Sequence, residues 1–460
     1  MTRPTSSVLW LRRDLRRRDL PALGAAAEAV SSGGGQVHVV FVVDPVLWDH
    51  CGPVRRGWLA ASVRAAAASY DGRLSVRVGD PVAELGAFAT EVGAGSVYVS
   101  AETTPYGVRR DSRVRARLAE RDVEWVATGS PYAVGPGRVR TRGETPYRVF
   151  TPFARAWREH GWSDPAPAPR GVRLGADLSD DHAQERLTRA LVECPVELPT
   201  AGEEAALRRW RSFRDQHLAD YAEARDRPDL PGTSRLSAYL KVGAIHPRTI
   251  LSDLSGARTK AARSYVDELA WREFYADVLS TEPHSAWRDL RPELGSMPYD
   301  DPDDLLESWK RGRTGFPIVD AGMRQLAETG WMHNRVRMIT ASFLCKDLHV
   351  WWPSGARHFL EHLVDADLAS NNHGWQWVAG TGTDASPYFR VFNPVTQGRK
   401  FDPQGDYVRR WVPELAHVPG ARAHEPWKSD DGYDHGYPEP VVDHAEERAE
   451  ALRRYDAARR

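Results

Sequence analysis

Short apolar runs alternate with segments of helical composition over the first 130 residues of this 460-residue chain. The apolar runs are rich in β-branched residues and are typical of buried strands. They cover residues 8–11, 37–43, 74–78, 96–100 and 123–127. The helical segments between them cover residues 20–29, 56–69, 81–92 and 106–121. This alternation predicts an α/β domain over residues 1–130 with a doubly wound parallel sheet, because parallel strands need crossover connections.

The remainder of the chain has a different pattern. Residues 131–200 are rich in Pro and Gly, and this composition predicts a connector with short helical segments. After Gly202 the strand signals disappear and helical patterns dominate, so residues 201–460 predict an all-α domain. The charged stretch at residues 445–460 predicts a solvated helix.

Charge and cysteine content exclude several classes of protein. Lys and Arg number 62 against 63 Asp and Glu, so any binding of nucleic acid must come from a local basic patch. Cys51, Cys194 and Cys345 have no C-x-x-C spacing, which argues against a disulfide framework or a zinc site. There is no run of 18 apolar residues and no signal-peptide pattern, so we expect a cytoplasmic protein without a membrane partner.

The segment at residues 365–394 combines carboxylates, amides and indoles. Asp365 and Asp367 precede Asn371, and Trp375 and Trp377 follow it. If residues 368–377 are helical, Asn371 and Trp375 share one face, whereas Trp377 points about 200° away from Trp375. Buried polar groups need partners, so this mixture is less typical of a core helix than of a site for a flat aromatic cofactor with polar edges.

Four further motifs carry a resemblance to a known family. They are GTSRLSAYL at 232–240, WREFY at 271–275, GFPIVDAGMRQL at 315–326 and GWMHNRVRM at 330–338. With the 365–394 segment, they resemble the photolyase/cryptochrome family, and most of all its microbial class I cyclobutane pyrimidine dimer photolyases. The resemblance runs from about residue 7 to the mid-420s.

The resemblance implies a lyase that repairs cyclobutane pyrimidine dimers in UV-damaged DNA with light. It implies an antenna-type α/β domain and an all-α domain that binds FAD non-covalently, active as FADH−, in a monomer. The alternatives are a cryptochrome-like blue-light photoreceptor without repair activity and a (6-4) photolyase. Asn371 and Met338 favour repair of cyclobutane dimers. An antenna chromophore of folate or deazaflavin type is a further possibility, but Leu20 and the 101–111 segment depart from the family pattern.

Residues around two motifs are expected to hold FAD. Thr233 and Ser234 precede a predicted helix, where hydroxyl groups and free N–H groups favour phosphate; a plain N-cap is the alternative. By resemblance, Arg337 pairs with Asp365 beside the flavin, and Asn371 faces flavin N5. The full set that the resemblance assigns to FAD is Tyr221, Thr233, Ser234, Arg235, Leu236, Ser237, Trp271, Arg272, Asn334, Arg337, Asp365, Ala366, Asp367 and Asn371.

A second set is expected to contact the lesion. Glu268, Trp271, Arg272 and Tyr275 follow i, i+3, i+4, i+7 spacing and share one helix face. Flat apolar side chains suit a dimer flipped out of the base stack, although each Trp alone is typical of a core. By resemblance, Glu268 hydrogen-bonds the dimer. The set assigned to DNA or the lesion is Arg225, Glu268, Trp271, Arg272, Tyr275, Asn334, Arg335, Met338 and Trp377.

The resemblance also implies an electron chain that photoreduces the flavin. Trp375 and then Trp352 match its first two members. The third position, a Trp in the family, falls on Tyr299 here. Trp309 and Trp351 are the competing terminal donors.

Overall fold

The computed structural model describes residues 6–31, 33–383 and 390–459, so part of the 365–394 segment, residues 384–389, lies outside the described residues. The chain forms two compact units. The first comprises Met1–Tyr147, Thr151–Asp215 and Ser234–Pro283, and the second comprises Arg148–Phe150, Gln216–Thr233 and His284–Arg460.

The first unit contains a parallel β-sheet. Within the described residues its five strands run in the order β3-β2-β1-β4-β5. They are β1 Ser6–Leu11, β2 Gln36–Val43, β3 Leu74–Val78, β4 Ala94–Val99 and β5 Glu124–Ala127. Each boundary lies within two residues of the prediction. Because β1 pairs with both β2 and β4, the strand order reverses at β1, as the predicted doubly wound fold requires.

Helices make up most of the rest of the described chain. Several begin with a side-chain cap followed by Pro, as at Asp80 and Thr104, which preorganises the first turn. The helices are α1 Pro21–Ser31, α2 Pro45–Trp48, α3 Pro53–Ser69, α4 Pro81–Glu91, α5 Pro105–Ala119, α6 Phe150–His160, α7 Asp181–Val192, α8 Glu203–Gln216, α9 Tyr221–Ala224, α10 Ser237–Val242, α11 Pro247–Asp253, α12 Lys260–Thr281, α13 Asp303–Lys310, α14 Pro317–Thr329, α15 Asn334–Lys346, α16 Trp352–His362, α17 Leu368–Ala379, α18 Pro394–Phe401, α19 Asp406–Trp411 and α20 His444–Ala458.

The two compact units do not follow the predicted segments 1–130, 131–200 and 201–460. Contacts within the first unit explain the difference. The Trp58 indole donates to Ala238 O at 3.1 Å, and Arg16 donates to Gly243 O at 3.0 Å. The buried Glu273 carboxylate on α12 accepts the backbone N–H groups of residues 133–135. Residues 234–283 therefore pack with the α/β segment, and the three-segment division stays a prediction.

The C-terminal helix α20 is not simply solvated, which corrects the prediction for residues 445–460. Its Tyr455 is buried and packs in a small cluster with Leu294 and Met297. Polar contacts add to this anchoring, since His444 lies 2.5 Å from Asp347 and Glu447 lies 2.7 Å from His349. One face of α20 therefore belongs to the second unit's interior.

A cluster of buried apolar side chains forms the core of the second unit. Trp309 and Trp352 are fully buried in it, and Trp375 lies in the same cluster. No helix in the described part of the chain combines the length and apolarity that crossing a membrane would need.

Candidate functional site

Helix α17 carries the central residues of the predicted site. Its N-cap is Asp367, whose carboxylate accepts the Ser370 N–H at 3.1 Å. Its C-terminal residue is followed by Gly380 in the left-handed region, at φ 91°, where glycine is favoured. Residues 368–377 are therefore helical, which is the condition under which Asn371 and Trp375 share one face.

One face of α17 is a buried ladder of polar side chains, formed by Asn372, His373 and Gln376. Gln376 donates to Ser285 O at 2.7 Å and accepts the Leu290 N–H at 2.8 Å. His373 donates from Nδ1 to its own helix and accepts from the Ser285 hydroxyl at 3.0 Å. Asn372 donates to Ala286 O. These bonds fix α17 to the segment at residues 285–290, and they satisfy groups that would otherwise be costly to bury.

Asn371 lies beside this ladder with its amide orientation fixed. Its Nδ2 donates to Ala356 O at 3.1 Å and to Asn372 Oδ1 at 2.8 Å. Since a carbonyl oxygen can only accept, the NH2 group must point toward Ala356. The Asn371 Oδ1 accepts no hydrogen bond from the described residues and is therefore available to an N–H of a ligand.

Arg337 and Asp365 form the predicted ion pair. Arg337 Nη2 lies 2.9 Å from Asp365 Oδ2, and its Nε donates to Met332 O at 2.8 Å. The second oxygen, Asp365 Oδ1, is buried without a hydrogen-bond partner among the described residues. Such an oxygen is rare unless a ligand or water satisfies it. Ala366, beside it, is also buried.

The 232–237 segment differs from its predicted form. Helix α10 begins at Ser237, and its N-cap is Leu236, so neither Thr233 nor Ser234 caps it. Arg235 is exposed, and its backbone lies in the left-handed region at φ 51°, so the chain changes direction before the helix. In the first unit, the Ser234 hydroxyl instead accepts from Tyr265 at 2.8 Å. The alternative, a plain N-cap role for Thr233 or Ser234, is therefore wrong, whereas a phosphate contact by this segment stays a prediction.

Helix α12, in the first unit, presents Trp271 and Tyr275 on one half-exposed face. Their rings lie 5.3 Å apart. Glu268 lies one turn before Trp271 on the same helix and is also half-exposed. Arg272 is already engaged by the protein, since it donates to Pro131 O at 2.9 Å and to Leu240 O at 3.2 Å. Its predicted contacts with FAD and DNA must therefore form in addition to these two hydrogen bonds or replace them.

In the second unit, Met338 and Trp377 are only partly buried, packing against the core from α15 and α17. The proposed lesion contacts thus retain accessible apolar surface. Asn334 is exposed at the start of α15, and Tyr221 is buried. The two arginines predicted to contact DNA already interact within the protein. Arg335 Nη2 lies 2.9 Å from Asp226 Oδ1, and the Arg225 guanidinium lies 5.6 Å from the centroid of the Tyr221 ring.

Trp375 is held by close aromatic packing. Its ring lies 4.9 Å from Phe359 and 6.1 Å from Trp309, both edge-to-face. A Cβ at position 355 would collide with the Trp375 ring, so Gly355 allows this approach. The Trp375 Nε1 is buried without a partner among the described residues.

The candidates for a terminal electron donor occupy different environments. Trp309 is fully buried, which argues against a surface role. Trp351 is 37% exposed, and its ring lies 6.3 Å from that of Trp352. The Tyr299 hydroxyl is buried without a partner in the described chain, and burial raises its pKa. The structure thus favours Trp351 on exposure, and the assignment stays a prediction.

Asp289 is a residue that the sequence analysis did not identify. Its Oδ1 accepts the Nε1–H of the fully buried Trp352 at 2.7 Å. A carboxylate in this position stabilises positive charge on the indole. Because Asp289 and Trp352 are far apart in sequence, no local spacing signals the contact.

Comparison with known proteins places the chain in a family. The model of the FAD binding domain of DNA photolyase matches residues 265–457, and the DNA photolyase model matches residues 7–170. A deoxyribodipyrimidine photo-lyase of Streptomyces griseus is 41% identical, with 98% of this chain and 99% of that protein covered. One from Escherichia coli is 38% identical, with 99% of each covered. The chain belongs to the DNA photolyase family.

Solved photolyase structures agree with this assignment. A bacterial class III photolyase from Agrobacterium tumefaciens superposes with a TM-score of 0.89 at 35% identity, covering 100% of this chain and 98% of that one. An archaeal photolyase from Sulfolobus tokodaii, solved with two FAD molecules, gives 0.83 at 30% identity and covers 98% and 100%. Because a class III enzyme is among these neighbours, the class I subdivision stays a prediction.

His373→Gln should flatten the acid dependence of stability. Burial lowers the His373 pKa to about 4, below its value of about 6.5 in the unfolded chain. The unfolded chain therefore takes up the proton first, and stability from the neutral ring is lost as pH falls below about 6.5. Between pH 7 and 5 this amounts to about 2 kcal/mol, measured by urea unfolding. An equal loss of unfolding free energy between pH 7 and pH 5 in wild type and in His373→Gln would contradict this prediction. His160→Gln, at an exposed position, is the control.

Asp289→Asn should slow photoreduction of the oxidised flavin at least about tenfold. Asn keeps an acceptor oxygen for the Trp352 indole but removes the charge, and hydrogen bonds to charged groups are worth roughly 1.5–3 kcal/mol. Transient absorption of the tryptophan radical gives the rate. Asp303→Asn, at an exposed position on α13, is the matched control. Equal rates for Asp289→Asn and wild type would remove this role from Asp289.

Proposed function

We propose that this chain is a deoxyribodipyrimidine photo-lyase that uses FAD and light to split cyclobutane pyrimidine dimers in DNA. The observation that carries the proposal is the Asn371 amide, whose NH2 is held by Ala356 O while its oxygen stays available. The names of the relatives support it, since proteins 36–41% identical over nearly the whole chain are deoxyribodipyrimidine photo-lyases. The enzyme class is therefore a carbon–carbon lyase.

The residues of the second unit fit a flavin. Asp365 offers a buried, unsatisfied oxygen for a ligand N–H, and Arg337 beside it supplies a positive charge. Asn371 offers a neutral acceptor. FAD, when bound in its reduced form, supplies a light-excited electron to the dimer and takes it back. Tyr221, Thr233, Asn334, Ala366 and Asp367 in this unit, and Ser234, Arg235, Leu236, Ser237, Trp271 and Arg272 in the first, complete the proposed contacts.

Each side chain beside the flavin has a separate task. Asn371 cannot lose a proton at neutral pH, so it binds a reduced flavin without changing the charge of the site. Arg337 favours the anionic form by its charge, and Asp365 holds the guanidinium in place. This pair is better suited to electrostatic tuning than to stability, because burying charge carries a desolvation cost.

The lesion contacts are the partly exposed aromatic and apolar side chains. Trp271 and Tyr275 in the first unit, and Met338 and Trp377 in the second, offer flat or flexible surfaces for a flipped-out dimer. Glu268 hydrogen-bonds the dimer, and in its protonated form it donates to the dimer and so stabilises the added negative charge. Arg225 and Arg335 supply the local positive charge, because the formal net charge of the chain is −1.

We further propose that the enzyme works as a monomer in the cytoplasm. A second, light-harvesting chromophore of folate or deazaflavin type would extend its absorption. A cryptochrome of Synechocystis shares the fold with a TM-score of 0.85 at 26% identity, so a photoreceptor role is the competing proposal.

Illuminated, reduced protein should restore the bases of an oligonucleotide containing one thymine dimer, with no repair in the dark. A matched oligonucleotide carrying a (6-4) photoproduct should remain unrepaired. Repair is followed by chromatography of the products. Absence of light-dependent repair by protein that contains reduced FAD would contradict the proposal and leave the photoreceptor role. Repair of only the (6-4) product would assign the other repair activity.

Trp377→Ala should weaken binding of the dimer-containing oligonucleotide by about 1–3 kcal/mol, if the indole stacks on the lesion. Trp427→Ala removes an indole that is 38% exposed and outside the proposed site, so it is the matched control. Fluorescence anisotropy against damaged and undamaged DNA gives both affinities. Wild-type affinity in the Trp377→Ala protein would assign Trp377 to the core alone.

A further inference from the structure

The last turn of α16 carries two histidines and a glutamate on one face. His358, Glu361 and His362 follow i, i+3, i+4 spacing, which brings side chains together on a helix. Each offers one ligand atom, and these atoms all lie within 4.8 Å of one another. No other group of three His, Cys, Asp or Glu side chains meets this condition in the described ranges, which omit residues 1–5, 32, 384–389 and 460.

The two imidazoles are already oriented by the protein. Their ring centroids lie 4.2 Å apart. His362 Nδ1 lies 2.8 Å from His358 O and must donate to that carbonyl, so the Nε2 of neutral His362 keeps its lone pair. A ring nitrogen held by a backbone carbonyl is the usual outer-shell arrangement of a metal-binding histidine.

The surroundings restrain His358 and place charged groups near the site. The His358 ring packs edge-to-face against Trp309, with centroids 5.5 Å apart, which limits its motion. Lys310 is a nearby positive charge. Its ammonium lies 2.7 Å from the Glu307 carboxylate, so an opposite charge partly offsets it. Glu361 is exposed and can turn toward an ion without breaking a hydrogen bond found among the described residues.

We propose that His358, Glu361 and His362 bind a divalent first-row transition-metal ion of the Zn²⁺ or Cu²⁺ class. Two imidazole nitrogens and one carboxylate oxygen are ligands that Zn²⁺ accepts, with water in the fourth position. Mg²⁺ and Ca²⁺ prefer oxygen ligands, so the two imidazoles select against them. None of the three ligands is a residue assigned to FAD, the lesion or the electron chain, although His358 packs against Trp309, a competing terminal donor.

Calorimetric titration of the full-length, FAD-containing protein with Zn²⁺ tests the proposal. Wild type should bind one Zn²⁺ with an affinity that falls at least about tenfold in the His358→Gln/His362→Gln variant. The His50→Gln/His160→Gln variant should bind like wild type, since both of its substituted histidines are exposed and lie elsewhere. Equal Zn²⁺ affinity in wild type and the His358→Gln/His362→Gln variant, or no binding by wild type, would overturn the proposal.

Electron paramagnetic resonance with Cu²⁺ on the wild-type protein keeps the test independent of how the variants fold. Cu²⁺ binds such sites more tightly than Zn²⁺, and two imidazole ligands give nitrogen hyperfine splitting that a carboxylate-only site lacks. Glu361→Gln should keep this splitting while lowering affinity. A spectrum without coupling to two nitrogens, or displacement of Zn²⁺ by equimolar Mg²⁺, would contradict the assignment.

Discussion

The buried polar ladder on α17 is the constraint on which the rest of the candidate site depends. The amide of Gln376 both donates to and accepts from the backbone of residues 285–290. His373 and Asn372 form hydrogen bonds with the same segment. An unsatisfied group in this interior would cost about 1–3 kcal/mol, so the helix has little freedom to rotate. With this face fixed, Asn371 and Trp375 can only take the neighbouring face.

The same anchoring connects α17 to the proposed electron chain. The 285–290 segment that receives the ladder also carries Asp289, which holds the Trp352 indole on α16. Gly355, one turn further along α16, lets the Trp375 ring approach closely. One short segment thus orients Asn371, the proposed flavin-side amide, and both inner tryptophans of the proposed electron chain. The buried polar residues of α17 are unusual for a core helix, and their hydrogen bonds fix the position of the candidate site.

Prediction from sequence worked where a pattern is local. The five strands follow from short apolar runs that alternate with helical segments, and the Arg337–Asp365 pair follows from a resemblance. Prediction failed where long-range packing decides: α20 carries many charges, yet its Tyr455 is buried against Leu294 and Met297. Asp289 could not be found, because its partner lies far along the chain. The i, i+3, i+4 spacing of His358, Glu361 and His362 is present in the sequence, but cysteine spacing alone does not reveal it.

The flavin midpoint potential of the Asn371→Ala protein tests whether the amide positioned by α17 stabilises the reduced flavin. FAD should stay bound in this variant while its potential falls, because the reduced form loses the amide acceptor that the ladder positions. Gln376→Leu, which removes two bonds of the ladder without touching the Asn371 side chain, should shift the potential in the same direction. A wild-type potential in the Asn371→Ala protein would contradict the account.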